Sequence, residues 1–420
     1  MFVSRPTPAS DALPSPARAW SVVALLCVVA CLNYLDRNML TTMRPSIVAA
    51  IPMTNAQFGL LTTVFLVVYG LLSPFAGFLA DRFSRSRVII VSLFVWSGVT
   101  WLTAHAHTYA ELLVARALMG VSEAAYIPAA LALIADYHRG GTRSLATGTH
   151  MVGIAVGSGF GGLGGVLADR HEWTFAFNLF GLVGIGYSVV LLFALRDATR
   201  DAPCVANPGE RVAFGDAMRS LFAQRPFRRA VAFFGLLGMA GWGLVGWLPT
   251  YFQERFELTQ GGGGLNATAW LSGGGVAGVL LGGAIADQWS RTNPRARILT
   301  PALGLCVAAA GILMLATATA LPVAIAGLVI YGLTRNFTDA NMMPILCLVA
   351  DARYRATGYG FLNLVACVVG GIYIYVGGAL RDASIGLSAV FLAMTGILLL
   401  CAMLLFSIRP APPAADRQHG

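Results

Sequence analysis

One short pattern, Gly followed four residues later by Asp, occurs four times in this chain. The copies are Gly77–Asp81, Gly165–Asp169, Gly283–Asp287 and Gly378–Asp382. Each ends a long apolar stretch, and each such stretch is the second of a group of three. The chain therefore reads as four repeats of one three-stretch unit. Mean hydropathy is +0.72, with 57% hydrophobic and 11% charged residues. A water-soluble fold of 420 residues could not hide that much apolar surface.

The apolar stretches are about 20 residues long, the length of helix that crosses a bilayer. Twelve are predicted, over 19–41, 57–80, 88–106, 110–135, 145–168, 174–195, 230–252, 266–287, 297–318, 321–350, 356–380 and 385–408. They are numbered helix 1 to helix 12 below. In lipid a helix satisfies its own backbone groups, so the expected class is an all-α membrane protein. The pattern closes helices 2 and 8 on one side and helices 5 and 11 on the other. Alternate units are thus inverted, giving two six-helix halves, each an inverted 3+3 repeat. Such repeats place a substrate site near the membrane midplane between the halves.

Orientation follows from the arginines. The chain has no lysine, and all 28 basic residues are Arg. With the N-terminus inside, 21 fall in cytoplasmic segments and four outside, at Arg44, Arg170, Arg255 and Arg381. The positive-inside rule then puts both termini in the cytoplasm. That distribution explains the +9 net charge without a nucleic-acid partner. The domain reading is a disordered tail over 1–18, halves over 19–195 and 230–408, a connector over 196–229 and a tail over 409–420. The connector holds Pro203, Pro208, Pro226 and seven arginines. Around Arg211–Phe222 it suits a short interfacial helix. The first apolar stretch carries Asp36 and Arg37 and is too long for a signal sequence, so it is read as uncleaved.

Three arginines remain inside helices, and each has carboxylates nearby. Asn33, Asp36 and Arg37 lie near one face of helix 1. Arg116 and Glu123, seven residues apart in helix 4, share a face. Arg335 and Asp339 are one turn apart in helix 10, with Asn341 beyond. Ionisable groups at membrane depth are costly and usually functional. Neutralised ion pairs holding helices together are the plainer reading of the same clusters. The functional reading uses carboxylates that take up a proton on burial and guanidinium forks that grip an oxyanion. Asp36 and Glu123 are the expected proton sites. Arg37 is the expected main anion contact beside Asp36, with Asn33, Arg116, Arg335, Asp339 and Asn341 completing the substrate site.

Other features read more simply. Gly153, Gly157, Gly161 and Gly165 repeat every four residues in helix 5, as a sliding seam or as static close packing. His150 reads as a hydrogen-bonded structural group. Trp242 suits a substrate platform or an interfacial belt, and Trp247 and Tyr251 suit the belt. The seven cysteines read as apolar packing. Metal-ligand spacing and nucleotide motifs are absent from the sequence, so no metal and no cofactor are expected.

Gly77, Asp81, Arg82, Arg85 and Arg87, echoed by Gly283, Asp287 and Arg291, resemble the signature of the major facilitator superfamily. Ser84 and Ser86 depart from it where Gly and a basic residue are usual. Asn33-Tyr-Leu-Asp36-Arg37-Asn38 together with Arg116-x3-Gly120-x2-Glu123-Ala resembles the anion–cation symporter branch, which carries hexuronates, galactonate, phthalate and sialic acid. The same two motifs occur in Spinster-like lipid transporters. The resemblance implies a secondary transporter rather than an enzyme, a monomer in a lipid bilayer of the bacterial inner membrane. It implies proton-coupled uptake of a small anionic substrate such as a sugar acid, with sodium left open as an alternative to the proton. It also implies that Asp36 and Glu123 carry protons while Arg37 meets the substrate carboxylate. The alternative it leaves is a Spinster-like carrier of lysolipids.

Overall fold

A computed structural model describes residues 15–138, 142–198, 214–293, 295–349 and 355–407. Among the described residues, twelve helices are long and apolar enough to cross a membrane. Helices 1, 2 and 3 are Pro16–Thr42, Asn55–Arg82 and Arg85–Thr103. Helix 4 is Tyr109–Glu123 continued by Tyr126–Tyr137, helix 5 is Arg143–Phe160 continued by Leu163–Arg170, and helix 6 is Trp173–Ala194. Helices 7, 8 and 9 are Arg225–Arg255, Gln260–Ser290 and Ala296–Thr317. Helix 10 is Leu321–Arg335 continued by Phe337–Val349; helices 11 and 12 are Arg355–Asp382 and Leu387–Ser407. The protein is an all-α membrane fold. Two short helices lie outside the spans, Arg44–Ala50 after helix 1 and Phe214–Ala223 in the connector.

Helix ends follow local chemistry. Thr108 and Glu111 form a reciprocal capping box at the start of helix 4. Asp197, after helix 6, accepts from the Ser86 N–H at 2.8 Å and so closes the start of helix 3. Arg229 and Arg295 donate to the last carbonyls of helix 12, at Ser407 and Phe406. Cations there complement the negative end of the helix dipole.

The glycine stripe of helix 5 packs inside its own half. A methyl group on Gly153 would stand 2.8 Å from the Cys27 carbonyl oxygen of helix 1, and one on Gly157 would clash with Cys31. The outer part of helix 5 also reaches the other half, with Gly159 accepting from Thr268 at 2.7 Å and Gly162 and Gly165 packed against Leu265 and Gln260 of helix 8. Most of the stripe is static packing, which small residues permit by letting backbones approach.

At the end that the arginine count assigns to the outside, the halves meet. Asp169 accepts from the Gly261 N–H at the start of helix 8, at 2.8 Å. Asp382 accepts from the Asn55 and Ala56 N–H groups at the start of helix 2, both at 2.9 Å. The Gly-x3-Asp pattern thereby acquires a physical meaning. The glycine lets the partner helix begin in contact with it, and the aspartate one turn later caps that helix. Beside Asp382, Arg44 and Arg381 share Glu254, at 3.7 and 2.6 Å, and both pack toward the Trp247 ring. Burial, then the neighbouring Arg381 charge, holds the Arg44 guanidinium below its ordinary value.

Trp247 and Tyr251 are buried rather than interfacial, which corrects the belt expectation. Trp247 donates to the Ile374 carbonyl at 3.0 Å and Tyr251 to Leu315 at 2.8 Å. A tyrosine or tryptophan tip satisfied by a neighbouring helix has no need of the headgroup layer. Asp287, the inner-end counterpart of these caps, pairs instead with Arg297 at 3.1 Å on the surface.

Two outcomes are expected. Gly157→Ala should destabilise the purified protein by about 1–3 kcal/mol through overpacking. Gly148→Ala, where a methyl meets nothing within 4 Å, should not lower the melting temperature. Asp382→Asn should loosen the outer closure by about 1–2 kcal/mol. Spin-label distances across the outer ends of helices 2 and 11 measure it, and an unchanged distribution would show that the cap does not hold the closure.

Candidate functional site

Helix 1 delivers Asn33, Asp36, Arg37 and Asn38 into the middle of the N-terminal half, all buried. Arg37 Nε donates to Glu123 Oε2 of helix 4 at 2.6 Å. Asp36 faces helix 3 instead, where its Oδ2 accepts from Thr100 Oγ1 at 3.1 Å. The expected Asp36–Arg37 partnership is therefore replaced by an Arg37–Glu123 pair. Neighbouring residues on a helix point about 100° apart, so Asp36 and Arg37 serve different neighbours. Thr100 carried no sequence signal, because one threonine in an apolar helix looks like any other.

Arg116 is buried in the same centre without an ion-pair bond. Its Nη1 donates to Met119 Sδ at 3.0 Å, and Nε and Nη2 have no partner among the described residues. Glu123 Oε1, Asp36 Oδ1 and both Asn33 amide atoms also lack partners there. The Phe65 ring of helix 2 lies near both guanidinium groups, 5.2 Å from Arg37 and 4.8 Å from Arg116. Tyr34 and Tyr69 flank Arg37 at 4.7 and 4.5 Å. Aromatic faces stabilise cations that water cannot reach.

A cavity of about 10 Å³ lies against Arg37 and Arg116, bounded by Asn38, Thr62 and, from helix 7 of the other half, Trp242. It holds one water-sized group. Trp242 is thus a wall of the central site. In the C-terminal half Arg335 pairs with Asp339 at 2.5 Å across the interruption of helix 10. Their side chains are 21% and 32% exposed, unlike the N-terminal charges. Asn341 turns its amide to the Phe337 carbonyl at 2.9 Å and toward Gly282 of helix 8. Its amide nitrogen is spent on backbone.

His150 lies apart from these charges. Its Nε2 is 2.9 Å from Tyr126 OH, which donates to the Leu26 carbonyl, also at 2.9 Å. In the signature segment Arg85 bonds the Ala132 carbonyl at 2.8 Å and the Asp136 carboxylate. Arg87 and Arg291 are exposed. The side chains at Gly77, Asp81 and Arg82 fall outside the described residues, as do Asp351, Arg353 and connector residues 199–213.

Residues 26–374 match the Major Facilitator Superfamily. The chain belongs to this superfamily. Among known proteins, Protein spinster of Drosophila melanogaster is 26% identical over 378 residues, covering 87% of this chain and 62% of the fly protein. The chain thus spans less than two thirds of that relative. The protein described as "Probable sulfoacetate transporter SauU" of Cupriavidus necator is 25% identical over 365 residues, covering 81% and 82%. Among solved structures, a bacterial homologue of the human lysosomal transporter Spinster, inward-facing and unoccupied, superposes with a TM-score of 0.79. Its identity is 22%, over 94% of this chain and 97% of that one. That likeness shows the fold; the superfamily match makes the protein a transporter integral to a membrane.

The buried pair generates a stability expectation. Arg37→Met or Glu123→Met alone strands one charge and should cost about 3–5 kcal/mol. The double variant should recover most of that loss. Thermal unfolding of the three purified variants measures it, and additive losses would mean that the pair does not hold helices 1 and 4 together.

Proposed function

We propose that the protein is a proton-coupled carrier of an amphiphile with an anionic head, the head docking on Arg116. The carrying observation is the Arg116 guanidinium, buried in the interface cavity with two nitrogens unbonded among the described residues. An unpaired buried cation is costly, and an entering oxyanion relieves that cost with charge-assisted hydrogen bonds. Arg37, expected as the main contact, is already bonded to Glu123 and takes a supporting part.

A sugar acid fits less well. It would need several hydroxyl partners; Asn38, Thr41 and Thr62 supply them from the N-terminal half, whereas helix 7 offers Trp242, Val245 and Gly246 to the cavity. The cavity as it stands holds one water-sized group, so a head group enters as the halves part, and the relatives named Spinster support the same choice. A smaller organic anion is the second reading, favoured by the sulfoacetate relative. Coupling rests on Asp36, whose Oδ1 is buried and without a partner among the described residues, and on the buried Glu123. Protonation of either offsets the charge that the anion brings.

The test uses purified protein reconstituted in liposomes. Single-chain lysophosphatidic acid should stabilise it more than glucuronate or sulfoacetate, by up to about 2.7 kcal/mol at a hundredfold excess over Kd. Arg116→Gln should weaken that binding by tenfold or more. An inward pH gradient should drive uptake, and Asp36→Asn should abolish the drive. Stabilisation by glucuronate alone would return the sugar-acid reading, and full binding by Arg116→Gln would remove the anion site from helix 4.

A further inference from the structure

We infer that a groove between helices 3 and 4 seats one chain of a membrane phospholipid, and that Glu111 at its mouth takes a primary ammonium group on the lipid head. The groove lies toward the end that the arginine count assigns to the outside. It shares no lining residue with the Arg37–Arg116 cavity, and its occupant is distinct from the transported molecule.

The groove measures about 410 Å³, inside the span of about 300–1,000 Å³ that small-ligand sites occupy. Val99 and Leu102 of helix 3 and Ala110, Val114, Ala115 and Leu118 of helix 4 line it. Val99 and Ala115 are buried, whereas Leu102, Val114 and Leu118 are exposed. Exposed Leu and Val on a membrane span meet lipid chains, and the alanines leave the hollow that a chain can enter. From Glu111 to Leu118 is nearly two turns, about 10 Å along the axis. That reach runs from the head-group layer well into one leaflet, whose hydrocarbon is about 15 Å deep.

The mouth of the groove is polar and offers acceptors. Glu111 takes the His107 and Thr108 N–H groups at 2.7 and 3.2 Å, both on Oε2. Among the described residues its Oε1 has no hydrogen bond and no cation pairs with it. His105 lines the same groove. Its Nδ1 is 3.0 Å from the Trp101 carbonyl, which can only accept, so in the neutral ring Nδ1 carries the proton and Nε2 presents a lone pair. The Trp101 ring lies 4.6 Å from the His105 ring, and tryptophan is common at head-group depth. Two acceptors without a cation select a group that brings both N–H bonds and positive charge. A primary ammonium brings three N–H donors. A choline head brings charge without N–H, and a glycerol head leaves its lipid's negative charge beside a carboxylate.

The groove also backs the central charges. Val99 precedes Thr100, which bonds Asp36, and Ala115 precedes the buried Arg116. A seated chain packs against helices 3 and 4 from the lipid side at the level of those groups. The resident lipid thereby fills a hollow behind the two helices that position them.

The experiment titrates the delipidated full chain in detergent with phosphatidylethanolamine, phosphatidylcholine and phosphatidylglycerol carrying identical chains. Thermal stabilisation and native mass spectrometry of the bound lipid read the affinities. Phosphatidylethanolamine should bind at least tenfold tighter than either of the others. Glu111→Gln keeps the capping box, because Gln serves at that position too, and should bring the ratio to about one. Ala110→Phe fills the groove and should weaken phosphatidylethanolamine binding tenfold or more; it serves if Glu111→Gln does not fold. Arg116→Gln should leave the ratio as it is. Phosphatidylcholine binding as tightly as phosphatidylethanolamine would overturn the inference. So would an ethanolamine preference that survives both Glu111→Gln and Ala110→Phe. A preference that Arg116→Gln abolishes would put the lipid in the central cavity and overturn it as well.

Discussion

Four charges buried in the N-terminal half, far from water, set the terms for everything around them. Arg37 and Arg116 balance Asp36 and Glu123, yet only one direct ion pair, Arg37 with Glu123, joins them among the described residues. In a low-dielectric interior such a set is tolerable while its sum stays near zero. An anion arriving at Arg116 alone would leave the centre negative by one charge. A proton on Asp36 or Glu123 restores the balance. On this reading coupling is a consequence of electroneutrality in hydrocarbon, and no separate relay has to be added.

The rest of the half serves to hold those groups. Helix 5 comes close enough to support helix 1 because Gly153 and Gly157 present no side chain to Cys27 and Cys31. Helix 3 contributes Thr100 to Asp36, and Phe65 of helix 2 packs against both guanidinium groups. The helix 4 break after Glu123 is tied by Tyr126 to helix 1 and to His150 of helix 5. His150 thus joins helices 4 and 5 through its Nε2.

Much of this was legible in the sequence. All twelve spans, the internal repeats and the identities of the buried charges follow from hydropathy and spacing, since the bilayer imposes length and the cost of charge singles out exceptions. Pairing was not legible. Periodicity puts Asp36 and Arg37 near one face, but which helix each one meets depends on helix rotation, which sequence spacing does not specify. Asn341 looked equivalent to Asn33; its amide instead turns to the Phe337 and Gly282 carbonyls, because a buried donor takes the nearest acceptor. Trp247 and Tyr251 looked interfacial because both stand near a helix end, and depth along a helix does not reveal which way a ring turns.

The four Gly-x3-Asp copies show how a repeat becomes a device. Two copies cap helices across the halves at the outer end, while at the inner end Asp287 is engaged with a surface arginine. The residues are alike; what differs is whether a helix N-terminus lies opposite. Such a contact needs no groove shaped to fit. It needs a glycine to allow approach and a carboxylate to meet exposed N–H groups. It can therefore form and break as rigid halves tilt, without repacking either core. A repeat inverted across the membrane supplies the same contact at both ends. Closing one end at the expense of the other then exchanges like for like, and the two states can lie close in energy. Such near-equality would let a modest difference in ligand binding decide which end is open.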